Sequence, residues 1–160
     1  VYEENAPVMR FLAELGMPIP RGLQAAAERA LNDELLALFG EESLDRDRAT
    51  RLLTEASERS IAIDATTLGF AFGHHFERVT EAFVWAPTNL DALAEVEATA
   101  DLLRALPFEV DLWKVQNLFY RLLQGPLGEH RARAEAGDAW ARDWVERVVA
   151  LGESLQIRVE

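Results

Sequence analysis

The sequence predicts an all-α protein, a compact bundle of six to seven helices, on three observations. Ala, Leu, Glu and Arg dominate the composition, and all four are strong helix formers. Apolar residues recur at three- and four-residue spacing in stretch after stretch. Asp, Asn, Gly and Pro stand between those stretches, where helices start and stop. At 160 residues the chain reads as one helical domain, residues 1–160, large enough to bury a core without staples.

The elements follow in order. Val8, Phe11, Leu12 and Leu15 place a helix over Tyr2–Leu15, stopped by Gly16 and by the extended connector Met17–Pro20. The second runs from Arg21 to Phe39 with Leu23, Ala27, Ala30, Leu31, Leu35 and Leu38 inward, and Gly40 just past its end. Asp45 caps a third helix through Arg59, with Leu52, Leu53 and Ala56 inward. After the apolar bridge Ile61–Ile63, Asp64 caps a long fourth helix to Trp85. Leu68, Phe72, Phe76, Val79 and Phe83 form its stripe. Gly69 and Gly73, one turn apart on it, either admit a second helix closely or mark a bend.

A fifth helix runs from Asn89 to Leu106 on the stripe Leu90, Leu93, Val96, Ala100 and Leu103. Pro107 breaks the chain. A sixth helix then continues to Leu123 and ends at Gly125-Pro126. Gly128–Gly137 is charged and partly helical in pattern. Asp138 caps the last helix, through Leu151, with Trp140 or Ala141, Trp144, Val145, Val148 and Leu151 inward. The tail Gln156–Glu160 alternates like a short strand.

Composition also excludes function classes. A net charge of -12 with scattered arginines opposes nucleic-acid binding and repels anionic membrane surfaces. No apolar run approaches the roughly 20 residues that span a bilayer. The start lacks the apolar core of a signal peptide, which gives a cytoplasmic protein as the expectation. It also lacks an initiator Met, consistent with a piece of a longer protein. With no cysteines there is no disulfide framework and no thiolate metal site.

The segment Leu106–Tyr120 holds the only lysine, one of four tryptophans, one of two tyrosines and an adjacent amide pair. At about 100° per residue from Glu109, the residues Leu112, Val115, Leu118, Phe119, Leu122 and Leu123 fall on one core-facing arc. Glu109, Trp113, Gln116 and Tyr120 form a row on the other side, with Asn117 beside them and Lys114 and Arg121 at one edge. An exposed large aromatic usually has something to cover. Aromatic planes pack on apolar sugar faces, and amides and carboxylates satisfy hydroxyls. Three readings of the row stay open: burial within the bundle, a domain interface or pocket wall, and direct ligand contact.

Other residues carry less. His74 and His75 point about 100° apart on a helix and cannot easily chelate one ion, so His75 is read as a core or surface histidine. No Glu-x-x-His pair, nucleophile elbow or phosphate loop is present, and no metal, cofactor or catalytic residue is expected. Trp140 and Trp144 read as core. His130 with Arg131 and Arg133 reads as a solvated turn.

FLAELGMPIPRGLQAAAERALN, LPFEVDLWKVQNLFY and AGDAWARDWVERVVALGESLQIRV together resemble the C-terminal region of bacterial proteins related to glycoside hydrolase family 57. In those proteins a helical domain of unknown function follows a carbohydrate-processing barrel. Asp111 departs from the pattern, which has Asn more often; either residue serves as a helix cap. The resemblance implies an accessory domain that packs on the catalytic barrel of the same polypeptide and helps wall its cleft, with polysaccharide as a further partner. It transfers no catalytic role to any residue here. A free-standing helical protein–protein interaction module is the alternative.

Overall fold

A computed structural model describes residues 20–157, and the helix expected over Tyr2–Leu15 lies outside them. Among the described residues there are seven helices and no strand: α1 (Arg21–Gly40), α2 (Arg46–Glu58), α3 (Ala65–Trp85), α4 (Leu90–Leu103), α5 (Trp113–Gln124), α6 (Pro126–Glu135) and α7 (Ala139–Ser154). The protein is all-α. Residues 20–71 with Leu106–Glu109 form one compact unit, and Phe72–Ala105 with residues 110–157 form a second, so the boundaries fall inside α3 and inside the link before α5.

In the first unit α1 packs on α2. Ala27, Leu31, Leu35, Leu38 and Phe39 of α1 meet Ala49, Leu52, Leu53 and Ala56 of α2 in the buried set. The expected N-cap of α2 forms: Asp45 Oδ1 accepts the Arg48 N–H at 2.9 Å. Gly40 is the last helical residue rather than a residue past the end, and Glu41 beyond it is extended. Asn32 ties α1 to the start of α3. Its Nδ2 donates to the Glu28 and Ala62 carbonyls, and its Oδ1 accepts the Asp64 N–H at 2.7 Å. Asp64 in turn caps α3 through Thr67, whose hydroxyl donates to Asp64 Oδ2 at 2.7 Å. Those Thr67 bonds hold the Asp64 carboxyl below its ordinary range. Glu34 and Arg48 pair between α1 and α2, and the Glu34 carboxylate raises the Arg48 guanidinium above its ordinary value.

The second unit is built on Phe72, Phe76, Val79 and Phe83 of α3 with Leu93, Val96, Ala100 and Leu102 of α4. To these α5 adds Val115, Phe119 and Leu122, and α7 adds Ala141, Trp144, Val148 and Leu151. Helix α4 ends at Leu103, three residues short of the expected Leu106. Gly125-Pro126 does end α5, but Pro126 also opens α6 at its first turn, where its missing N–H costs nothing. Asp138 caps α7 by accepting the Ala141 N–H at 3.1 Å, and α7 runs one turn past Leu151. Arg147 of α7 makes a bidentate pair with Glu97 of α4, at 2.9 and 2.6 Å, which raises the guanidinium above its ordinary value.

Three helices end in the same 6→1, 5→2 closure. Residues Ser60, Gly137 and Gln156 hold the left-handed position, at φ 53°, 98° and 59°. Only one of them is glycine. Gln156 is therefore not strand-like as its alternating pattern suggested; residues 158–160 lie outside the described ones.

Two of the expectations about α5 and α6 need correction. Helix α5 begins at Trp113, not at Glu109. The residues before it form no helix and lie against the two α3 glycines instead. In the first unit the Glu109 carbonyl oxygen is 3.0 Å from where a Cβ on Gly69 would stand. In the second, Val110 Cγ1 is 3.4 Å from the same point on Gly73. The glycines thus admit a non-helical strip of chain, not a second helix. His130 is not in a solvated turn. It sits on α6, only 4% exposed, with its ring 4.4 Å from Trp144 and 5.3 Å from Trp140. Arg133 bridges the corner, lying over the Trp140 ring and donating to Asp138 at 2.6 Å.

Candidate functional site

Helix α5 separates its two faces sharply. Val115, Phe119 and Leu122 are buried, while Leu112, Leu118 and Leu123, placed on the same arc by the sequence, are half-buried at its edges. The opposite face stays open. Trp113 is 67% exposed and Tyr120 is 54% exposed. Four of the five residues singled out in the sequence, Trp113, Gln116, Asn117 and Tyr120, line one shallow groove of about 270 Å³. Burial within the second unit does not account for Trp113 and Tyr120, whereas the half-buried Gln116 does satisfy a backbone carbonyl at the end of α7.

The fifth residue is not part of it. Glu109 precedes the helix, is exposed, and does not line the groove. A helical wheel started at Glu109 put it in the row; the chain is not helical there.

Local bonds hold the face in place. Asp111 Oδ1 accepts the Trp113 N–H at 2.9 Å from one position before the N-cap, which is Leu112 and makes no side-chain cap bond. Gln116 Nε2 reaches across to the Leu155 carbonyl oxygen at 3.1 Å and so pins α5 to the end of α7. Asn117 Nδ2 donates to the Trp113 carbonyl oxygen at 2.7 Å. Gln124 Nε2 donates to the Tyr120 hydroxyl oxygen at 2.7 Å. Lys114 pairs with Glu77 of α3 at 3.1 Å, away from the groove lining.

Gln156 and Ile157 complete the groove, and sequence reasoning missed both. They arrive through the left-handed closure of α7: the Ile157 N–H bonds the Gly152 carbonyl at 2.9 Å, turning the chain back toward α5. A glycine at position 156 would have signalled that turn. Glutamine masked it.

His75 is 2% exposed, and its Nδ1 faces the Arg78 guanidinium at 2.9 Å, so that nitrogen is an acceptor already engaged. No group of three His, Cys, Asp or Glu that could hold a metal ion occurs among the described residues. No helix among them is long and apolar enough to cross a membrane.

Among known proteins, no family model, curated protein or solved structure matches the chain.

Proposed function

We propose that this chain is the helical accessory domain of a longer carbohydrate-active enzyme, of the kind found in proteins related to glycoside hydrolase family 57. The α5 face of Trp113, Gln116, Asn117 and Tyr120 is its contact surface. It packs against the catalytic barrel of the same polypeptide or walls the barrel's cleft, and it works in the cytoplasm. Catalysis belongs to the barrel.

The observation that carries this reading is the exposure of Trp113 and Tyr120 on the one helix face that the sequence marks as unusual. A water-facing indole and phenol two turns apart, with amides between them, match the composition of contact surfaces rather than of plain solvated helix. The resemblance in sequence supplies the partner. The same composition also favours the second reading, a free-standing module that binds another protein, because Trp and Tyr dominate such interfaces.

The test uses the full polypeptide encoded around this chain. An upstream catalytic region favours the first reading; its absence favours the second. In that full protein, Trp113→Ala lowers glycan turnover or uncouples the melting of the two regions. If turnover and melting both match the parent protein, α5 is not the contact surface.

A further inference from the structure

Helix α5 repeats itself. Trp113, Lys114 and Asn117 recur seven residues later as Tyr120, Arg121 and Gln124, an aromatic, a cation and an amide each time. The bonding repeats with the sequence. Asn117 Nδ2 donates to the Trp113 carbonyl oxygen and Gln124 Nε2 to the Tyr120 hydroxyl oxygen, each at 2.7 Å and each reaching back four residues. Residues seven apart lie nearly in line on a helix, about 10 Å apart along its axis. So α5 shows an aromatic row with a cation row beside it, both with a seven-residue period. That period suits a second helix lying along α5. Residues on one face of a strand recur instead about every 7 Å.

Charge narrows the choice of helix. With Lys114, Arg121 and no Asp or Glu, α5 carries +2. It is the only one of the seven described helices with a positive net charge, in a chain of net charge -12. Lys114 even stands in the first turn, where the helix dipole disfavours a cation. It pairs with Glu77, but its side chain is 65% exposed and its ammonium has donors left for a second carboxylate. Arg121 has no ion pair among the described residues.

The matching row lies on α7. Glu146 and Glu153 are exposed, seven residues apart, and have no ion pair among the described residues. The exposed Ala150 between them is small enough to seat an aromatic ring. The Gln116 bond to the Leu155 carbonyl sets the start of α5 beside the end of α7, within the second unit. Lys114 is at the first of those ends and Glu153 at the second, and Arg121 and Glu146 each lie seven residues further on. The two rows thus start at the same end of the unit. Opposite charges in matched rows side by side make a self-complementary patch, which is what a two-fold dimer requires.

We propose that the chain forms a two-fold dimer through this patch, with α5 of each copy antiparallel on α7 of the other. Lys114 meets Glu153 of the partner subunit, and Arg121 meets Glu146 of the partner subunit. Trp113 and Tyr120 close over Ala150 of the partner subunit. Arg142 stands one turn before Glu146. In the antiparallel register Arg142 of the partner subunit falls past Gln124, where the last carbonyls of α5 favour a cation. A parallel register would set it before Trp113, at the wrong end of the dipole. This occupant rests on the contact-surface reading above and is one that the chain itself supplies; a catalytic region competes with it for Trp113. The charge of -12 on each copy opposes association, so the dimer is weak, with a Kd of about 100 µM. At the concentrations of an unfolding titration, about 5 µM, the chain is monomeric.

Sedimentation equilibrium of the chain from about 10 µM to 1 mM should show a monomer–dimer equilibrium. Arg121→Glu should weaken it about tenfold or more. Glu146→Arg should weaken it as much, although it lowers the net charge and with it the general repulsion. The double variant, Arg121→Glu with Glu146→Arg, exchanges the two charges and should restore the parent affinity to within about threefold. Lys114 is the only lysine, so carbodiimide coupling of lysine to carboxylate maps its neighbours. In a mixture of isotope-labelled and unlabelled chains, Lys114 should couple to Glu153 between copies and to Glu77 within one. A monomer at the highest concentration overturns the proposal, as does a dimer that either single variant leaves intact or the double variant fails to restore. Coupling of Lys114 between copies only to carboxylates outside α7, or only to Glu77 within one copy, overturns it too. In each of these cases a loss of turnover or coupled melting on Trp113→Ala in the full protein leaves the contact surface standing. If that loss is absent as well, both readings fall.

Discussion

Trp113 and Trp144 belong to the same compact unit and occupy opposite environments. Trp144 on α7 is fully buried, packs 4.4 Å from His130 and 6.5 Å from Phe83, and donates its indole N–H to the Pro87 carbonyl at 2.6 Å. Trp113 on α5 is 67% exposed, and its hydrogen bonds with side chains are made by its backbone, the N–H to Asp111 and the carbonyl oxygen to Asn117. Both are large aromatics beside polar residues in the sequence. One is joined to the scaffold through every part of its ring; the other is presented by the scaffold. An aromatic marks a contact surface when the fold leaves its ring unmatched, not when it merely sits among polar neighbours.

Trp144→Ala is the sharpest challenge to that contrast. It should cost about 4 kcal/mol in urea unfolding, from the cavity, the lost ring contacts and the unpaired Pro87 carbonyl. A loss below about 1 kcal/mol would mean that the α6–α7 corner is not part of the core.

Acid should act next, and on the same corner. The Ala141 N–H and then Arg133 hold the Asp138 carboxyl below its ordinary range. The folded state thus favours the ionised form. Its stabilisation is complete above the unfolded value near pH 4 and fades as pH falls through the lower folded value. Circular dichroism melts should show α-helical stability dropping below about pH 4. Asp138→Asn, which keeps a capping acceptor, should flatten part of that slope. An identical acid profile in the variant would remove Asp138 from the account.

Smaller changes probe the groove side. Gln156 holds a left-handed backbone at φ 59°, which costs a side-chain-bearing residue about 1 kcal/mol that glycine avoids. Gln156→Gly should raise stability by that amount while removing one groove wall. Trp113→Ala should be nearly silent in the isolated chain, within about 0.5 kcal/mol by urea titration. A destabilisation like that of Trp144→Ala would show that the Trp113 ring supports the fold after all.

The caps and inner faces were legible in the sequence. Asp45, Asp64 and Asp138 each accept backbone N–H groups at the start of the helix they precede, and Asn89, expected as the first residue of its helix, turns out to be its cap. Leu31, Leu35, Phe72, Phe76, Val96 and Val148 are buried where the periodicity put them. Trp113, Gln116, Asn117 and Tyr120 were legible as a row because helical spacing alone aligns them. These features depend on residues within one or two turns of each other, so local chemistry determines them.

Tertiary structure decided the rest. Periodicity extended α5 back to Glu109, but that segment takes its conformation from the surface Gly69 and Gly73 open on α3, some 40 residues earlier. His130 looked solvated among arginines until α7 folded back and set two tryptophans against it. The groove needed Gln156 and Ile157, and the orientation of its amides needed the Leu155 carbonyl, 39 positions from Gln116. Helix spacing tells which side chains share a face; what that face meets, and which end of an amide remains free, depends on partners that only the folded chain brings within hydrogen-bonding distance.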